Sequence, residues 1–379
     1  EIKNKLSNAK NGFLGNSLTT EMYLLSPLYD NKLKQTIIQI IDLSNFNILK
    51  TIVPNWVKIN SKINNDNPLF KNILTEPNRS LPQTPILTKD GGIIFNSGAI
   101  IKINKNGDVD WMNYEKYYHH GLNYDGDSLI WVPSSFYPTS IIRDNSNLDF
   151  LEDGITALSL DGKKIFDRSL YEIFHNNGLD YKIFEYQGYK KIKNNPFHLN
   201  DIEPVTEDGK FWKKGDLFLS IRNLSMSILY RPSNDSIIWY NEGITKHQHD
   251  IDIIDKKTIS IFDNNSYYIK NNTISKGFNN IKKYNFETHE MTEIFKGVLE
   301  KHKVKTPTQG SCSITNEGEL FIEETDNGRL LYFNRIGELV WERYNYDKKT
   351  DKFHVFQWST LIYDDKIFPF IKQSINDID

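Results

Sequence analysis

Nine histidines occur in 379 residues, and three of them, His120, His198 and His249, share a local context. Each stands at the lead-in to a short apolar strand: Tyr118-His119-His120, Phe197-His198-Leu199-Asn200-Asp201 and His247-Gln248-His249-Asp250. Intervals of 78 and 51 residues separate them, so closeness along the chain does not explain the recurrence. A structural repeat that returns to the same place does. Imidazole titrates near neutral pH and can act as nucleophile, general acid or base, or anion stabiliser. Arg222, in Ser220-Ile221-Arg222-Asn223 and expected at the far end of an inner strand from its His198 lead-in, adds a planar guanidinium that binds sulfate or phosphate oxygens in pairs. The candidate catalytic set is therefore His198, His249, His120 and Arg222. Asn200, Asn223, His247 and Asp250 flank it. Gln309 and Ser311, at a fourth lead-in, and Arg329 complete the residues expected to touch substrate.

Plainer readings compete. A histidine at a strand start can simply bond a carbonyl of the neighbouring sheet, and a buried arginine can be half of an ion pair. On a strand, His247 and His249 would face one side, and with His198 or His120 they would make a zinc or copper site. No cysteine or clear glutamate ligand shares that spacing, so no metal and no cofactor is assigned. The lone Cys312 excludes an internal disulfide and a zinc–cysteine cluster. Phosphate-binding glycine loops, a nucleophile elbow and a His-Glu-x-x-His helix are all missing from the sequence.

Charge narrows the partners. With 46 Lys+Arg against 49 Asp+Glu, the net charge is −3, which gives no cationic excess to displace phosphate counterions, so nucleic acid is excluded as a bulk-charge partner. No apolar run approaches the roughly 20 residues that span a bilayer. A start at Glu1 is compatible with a removed signal peptide or N-terminal anchor.

The elements that must carry the histidines repeat. A β-branched strand, a turn with Gly or Asn and a second strand, often ending in Trp, recur at 38–49, 101–111, 158–166, 229–239, 284–294 and 331–341. Each reads as a hairpin. A second hairpin signal precedes most copies, as in Gly92-Ile-Ile-Phe95, Asp216-Leu-Phe-Leu-Ser220 and Glu319-Leu-Phe-Ile-Glu323. Four strands per unit at spacings of roughly 40–65 residues mean an all-β propeller. The expectation is one domain over 1–379 with six blades, five or seven being the alternatives. Their approximate bounds are 12–60 with 354–372, 84–113, 117–168, 196–242, 247–297 and 307–345. C-terminal strands at 359–363 and 366–371 close the ring on the N-terminal blade. Residues 169–195 break the pattern as an insertion between blades, with Ser169 as N-cap of a short helix. Its Lys190–Lys193 run reads as a solvated loop.

At the lead-ins the chain resembles the arylsulfotransferase family of β-propellers. The matching phrases run in order through Pro196-Phe-His198-Leu-Asn200-Asp201, Gly215-Asp-Leu-Phe-Leu-Ser-Ile-Arg222-Asn223, Gln248-His249-Asp250 and Phe262-Asp263-Asn264. They continue with Thr306-Pro-Thr-Gln309-Gly310 and Glu323-Glu-Thr-Asp-Asn-Gly-Arg329, covering about residues 90–345. The resemblance implies a propeller exported to the periplasm or cell exterior. It also implies transfer of a sulfuryl group from an aryl sulfate to a phenol through a sulfated histidine, with helper histidines and an arginine. His198 and His249 match the helper positions. The family's arginine is expected just after Phe262-Asp263-Asn264, where this chain reads Ser266-Tyr267-Tyr268-Ile269. Its nucleophilic histidine belongs in 305–345, which holds none; Ser311, Cys312, Asn327 and Arg329 stand there instead. The ligand expected is small and anionic or aromatic, and a homo-oligomer is compatible with the sequence. Two functions follow: an arylsulfotransferase in which His120 or Cys312 replaces the nucleophile, or a propeller that binds or assembles without catalysis.

Overall fold

Alternating apolar residues and tight turns dictate antiparallel sheets, and the described residues form six of four or five strands, besides the two-stranded pairs Ser266–Ile269 with Asn272–Ser275 and Tyr346–Asp347 with Lys352–Phe353. The computed structural model describes residues 10–63, 70, 76, 80–136, 151–185, 195–269 and 272–376. Blade 1 orders its strands Thr360–Ile362, Tyr23–Asp30, Gln35–Asp42 and Asn47–Ile52. Blade 2 has Gln83–Leu87, Ile93–Asn96, Ile100–Ile103 and Val109–Asn113. Blade 3 has Asn123–Tyr124, Leu129–Phe136, Glu152–Ser159 and Lys164–Ser169. In blade 4 the order is Leu199–Pro204, Leu217–Ile221, Met226–Arg231, Ser236–Glu242, and in blade 5 His249–Asp255, Thr258–Asp263, Asn280–Asn285, Glu290–Ile294. Blade 6 runs Ser311–Ile314, Leu320–Glu324, Arg329–Phe333, Leu339–Tyr344, and takes Gly12–Gly15 as a fifth strand. The fold is a six-bladed β-propeller.

The chain divides into two compact units, residues 1–112 with 309–379, and residues 113–308. Blades 1, 2 and 6 lie in the first, and blades 3, 4 and 5 in the second. In the first unit an early strand and a late strand of the described chain are sewn into sheets. Thr360–Ile362 pairs with Tyr23–Leu25, as the sequence leads one to expect, and Gly12–Gly15 pairs with Trp341–Tyr344. That added strand lays Phe13 edge-on against Trp341, which is fully buried. The expected strand at 366–371 is instead a helix over Phe368–Ile375. Pro369 explains the change, since proline lacks the N–H a ladder needs but fits the first turn of a helix. Ile371 of this helix joins the core shared by blades 1 and 2.

Apolar side chains from facing sheets fill the spaces between neighbouring blades. Ile38, Ile40, Phe95 and Ile101 pack together in one such core, and Ile155, Ile202, Leu219 and Ile228 in another. The insertion after blade 3 caps the latter. Ser169 Oγ accepts the Glu172 N–H as N-cap, and the helix Leu170–Asn176 buries Leu170, Ile173 and Phe174. A second short helix covers Tyr181–Glu185; the Lys190–Lys193 run lies outside the described residues. Among the described residues no helix is long and apolar enough to cross a membrane.

All six repeated hairpins turn through one left-handed residue: Phe46, Gly107, Gly162, Asp235, His289 or Gly337. Only half of these are glycine, so steric need differs from turn to turn. At Gly107 (φ +90°) an added Cβ would lie 2.1 Å from the Val53 carbonyl oxygen, whereas at Gly126 (φ +76°) it would meet nothing within 4 Å. Gly107→Ala should therefore cost roughly 2–4 kcal/mol, from left-handed strain plus the clash, and Gly126→Ala only about 1–2. Urea unfolding of the two variants measures this; equal losses would refute the role given to the Val53 contact.

Candidate functional site

Blades 3, 4 and 5 begin on strained backbone. His120, His198 and His247 have φ of +60°, +54° and +53°, and Asp250 has +53°. A non-glycine residue in this region costs about 1–2 kcal/mol, and such strain concentrates at functional sites. The kink turns each chain into its inner strand and brings three imidazoles together. Ring centroids of His120 and His198 are 4.8 Å apart, and those of His120 and His249 6.1 Å. The three sequence candidates thus converge within the second unit.

Neighbouring side chains decide which nitrogen of each ring carries the proton. Asn264 Nδ2 donates to the Thr306 carbonyl, so its Oδ1 accepts His249 Nδ1–H at 2.7 Å and His249 Nε2 keeps the lone pair. Asn195 Oδ1 accepts the His198 backbone N–H, so its Nδ2 donates to His198 Nδ1 at 2.8 Å. His198 therefore carries its proton on Nε2. His120 Nδ1 meets His119 Nδ1 at 2.8 Å. His119 Nε2 lies 3.2 Å from Asp153 Oδ1, an ion-pair approach without hydrogen-bond alignment. That carboxylate favours the His119 proton on Nε2, which leaves His119 Nδ1 to accept from His120 and His120 Nε2 unprotonated. The three rings thus carry their outer protons unevenly, on His198 Nε2 and not on His120 or His249 Nε2.

Arg222 supplies the positive charge. The sequence reading put it at the far end of a strand from His198. In the structure the inner strand is Leu199–Pro204, and the strand before Arg222 is the second one, running back antiparallel. Leu199 pairs with Ile221, so the Arg222 N–H donates to the His198 carbonyl at 3.2 Å. The guanidinium is 3% exposed, donates to Asn223 Oδ1 at 2.9 Å and to the Tyr268 hydroxyl, and sits 5.0 Å from the Tyr268 ring centroid. Among the described residues no carboxylate pairs with it, and its Nε–H meets no acceptor. Burial, then the repulsion a protonated His120 would meet from His198, His119, His249 and Arg222, holds the His120 pKa well below its ordinary value. His249 is pushed down to about 3 by burial and then by Arg222. These are neutral imidazoles facing an uncompensated cation, an arrangement suited to an anion.

The other candidates divide. Asn223 fixes Arg222 and donates to the Asn195 carbonyl, and Asn200 donates to the Gln248 carbonyl, joining blades 4 and 5. His247 precedes its strand, so strand alternation does not apply to it; its ring packs on Tyr268 at 4.7 Å. No group of three metal-ligating side chains found among the described residues includes His247 or His249. Asp250 belongs to an acidic group with Asp201, Glu203 and Asp252 further along the same two inner strands. Burial and then mutual repulsion raise Glu203 and Asp252 well above the carboxylate range, and burial raises Asp201 to about 6. In the first unit Gln309 is half-buried ahead of blade 6, Ser311 pairs with Glu323 in register, and Cys312 is buried. Arg329 is the structural case there, with its Nε 2.6 Å from Glu324 Oε2.

His302 and His354 are half-buried, and His175 ends a helix. The sequence reading did not assign roles to His119, Asp153, Asn195, Asn264 and Tyr268. His119 and Asn264 stood inside phrases already singled out; Tyr268 lies in the window where an arginine was expected.

The Arylsulfotransferase (ASST) family profile matches residues 80–347. No curated relative matches the chain. A crystal structure of a protein of unknown function from Bacteroides caccae is similar at 13% identity and TM-score 0.54, covering 91% of this chain and 100% of that one. A chain of the nidogen/laminin complex, at 8% identity and TM-score 0.48, covers 91% and 99%.

The His249 shift fixes a pH dependence. In the unfolded chain the imidazole takes up a proton near 6.5, but in the folded chain only near 3. Protons therefore favour unfolding across that window, and stability falls as pH drops through it. By pH 4.5 the loss from this group is ~2–3 kcal/mol. Urea midpoints at pH 7 and 4.5 should converge in His249→Gln; an unchanged pH slope would refute the assignment.

Proposed function

The chain belongs to the arylsulfotransferase family, and from that premise we propose that the His120, His198, His249 and Arg222 group takes the sulfuryl group of an aryl sulfate and passes it to a phenol. The observation that carries this reading is the buried Arg222 guanidinium without a countercharge among the described residues, beside three clustered imidazoles. A sulfate ester supplies the missing negative charge. Arg222 and His198 Nε2–H bind its oxygens, where charge grows as the sulfur–oxygen bond to the aryl group stretches.

His120 is the nucleophile in this proposal, in place of the histidine that 305–345 does not contain. Its Nε2 lone pair forms the bond to sulfur as the aryl oxygen leaves with the electron pair of the broken bond. His119 accepts the His120 Nδ1–H bond and steadies the positive charge that forms on His120, with Asp153 behind it. A phenol then attacks the same sulfur, His249 Nε2 receives its proton, and the bond to His120 breaks. Export to the periplasm or cell exterior belongs to the same proposal.

Pure protein given 4-nitrophenyl sulfate and phenol should release nitrophenolate in an acceptor-dependent way and carry a transient sulfuryl adduct on His120. Arg222→Met should lower kcat about 100-fold or more, and His120→Ala should abolish the adduct. Saturable binding of the sulfate ester with neither transfer nor adduct would overturn the catalytic reading and leave a non-catalytic binding propeller.

A further inference from the structure

Among the described residues, three of the five arginines that are at least partly buried pair with a carboxylate, and two do not. Arg168 pairs with Asp235 and Glu172, Arg231 with Asp216, and Arg329 with Glu324. Arg222 and Arg343 are buried without a carboxylate partner among the described residues. Arg343 stands on the fourth strand of blade 6, in the unit that does not hold the histidine cluster. It donates to Ser26 Oγ at 3.0 Å and to Gln39 Oε1 at 2.6 Å. The ring centroids of Phe13 and Phe356 lie 5.0 and 5.5 Å from the guanidinium carbon. Two of its five N–H groups are used, and the other three have no acceptor among the described residues. Burial pushes this guanidinium down to about 9, still above neutrality, so its charge remains.

Arg343 lines a cleft of about 560 Å³, within the size range of small-molecule sites. Phe13 and Phe46, stacked at 4.4 Å and 9°, form an aromatic wall, and Tyr29 and Tyr344 also line the space. Lys32 and Asp30 line it too, but both Asp30 Oδ1 bonds go to the Lys32 and Leu33 backbone N–H groups of its own turn. The formal charge of the lining from Arg343, Lys32 and Asp30 is +1.

We propose that this cleft is a second ligand site, which binds a small organic monoanion bearing an aromatic ring. The anion pairs with the remaining Arg343 N–H groups, and the ring lies on the Phe13–Phe46 wall. Because Phe13 belongs to the added Gly12–Gly15 strand, a ligand there ties that strand to blades 1 and 6 and stabilises the closure of the unit. The site stands independently of the histidine cluster.

Benzoate is the probe, with benzyl alcohol as its neutral counterpart, on the full chain carrying Arg222→Met to silence the other cation. Calorimetric titration should give saturable benzoate binding, none for the alcohol, and a benzoate-dependent rise in the unfolding temperature. Arg343→Met should weaken binding at least tenfold while unfolding no earlier than its parent without ligand, because it removes an uncompensated buried charge. Lys32→Gln, an exposed change that leaves the core intact, should weaken binding 2–3-fold. Benzoate affinity unaltered by both variants, or equal binding of the alcohol, would overturn the proposal. So would an early-unfolding Arg343→Met with no benzoate effect in the parent, which makes Arg343 a bridge between blades and nothing more.

Discussion

A buried carboxylate on one blade that accepts a backbone N–H from the lead-in of the next is the interaction on which the site rests. Asp153 Oδ2 takes the Leu199 N–H, immediately after left-handed His198, at 2.8 Å. Asp201 Oδ2 takes the Ile251 N–H, immediately after left-handed Asp250, at 2.8 Å. In the other unit Glu323 takes the N–H groups of left-handed Trp358 and of Ser359, at 2.7 and 2.6 Å. Each bond is charge-assisted and pins the kinked residue that a relaxed chain would straighten. About 1.5–3 kcal/mol per such bond offsets the 1–2 kcal/mol of left-handed strain. Without these bonds the kinks would relax, and the imidazoles would lose their common focus.

The anchors carry a cost of their own, which shapes the electrostatics of the second unit. Burial raises Asp201, and the neighbouring Glu203 and Asp252 rise with it, while His120 and His249 fall. The inner strands of blades 4 and 5 thus begin among suppressed cations and continue into suppressed anions. Both ends are pressed toward neutral forms by the same low-dielectric surroundings. Under the proposed function an anion at the first end would reverse the pressure, since its charge stabilises protonated imidazole, and its binding would be linked to proton uptake at the histidines.

The hairpins were legible because period-two alternation and turn residues are local, and so was the histidine convergence, because the repeat returns each lead-in to an equivalent place. What the sequence concealed was relational. The reading of Arg222 failed because its strand was taken for the inner one; antiparallel return, not spacing, sets Arg222 beside His198. His247 was placed on a strand that begins only at His249. Pro369 was a visible warning against a strand at 366–371, outweighed by the apolar run around it. The tautomers were beyond sequence reasoning, because they depend on which amide oxygen is already engaged by a backbone group.

Ion pairing separates structural arginines from the others more sharply than burial does. Arg329 is nearly as buried as Arg222, at 4% and 3% exposure, and both came out of the sequence as anion clamps. Glu324, five residues away on the adjoining strand, meets the charge of Arg329 with an oxygen at 2.6 Å. Among the described residues nothing of that kind meets Arg222, whose neighbours Asn223 and Tyr268 orient the guanidinium without neutralising it. Leaving a charge buried and unpaired is expensive, and this chain supplies carboxylates freely elsewhere. Under the proposed function, Arg222, held rigidly by neutral partners, keeps its charge for an anion that comes from solution.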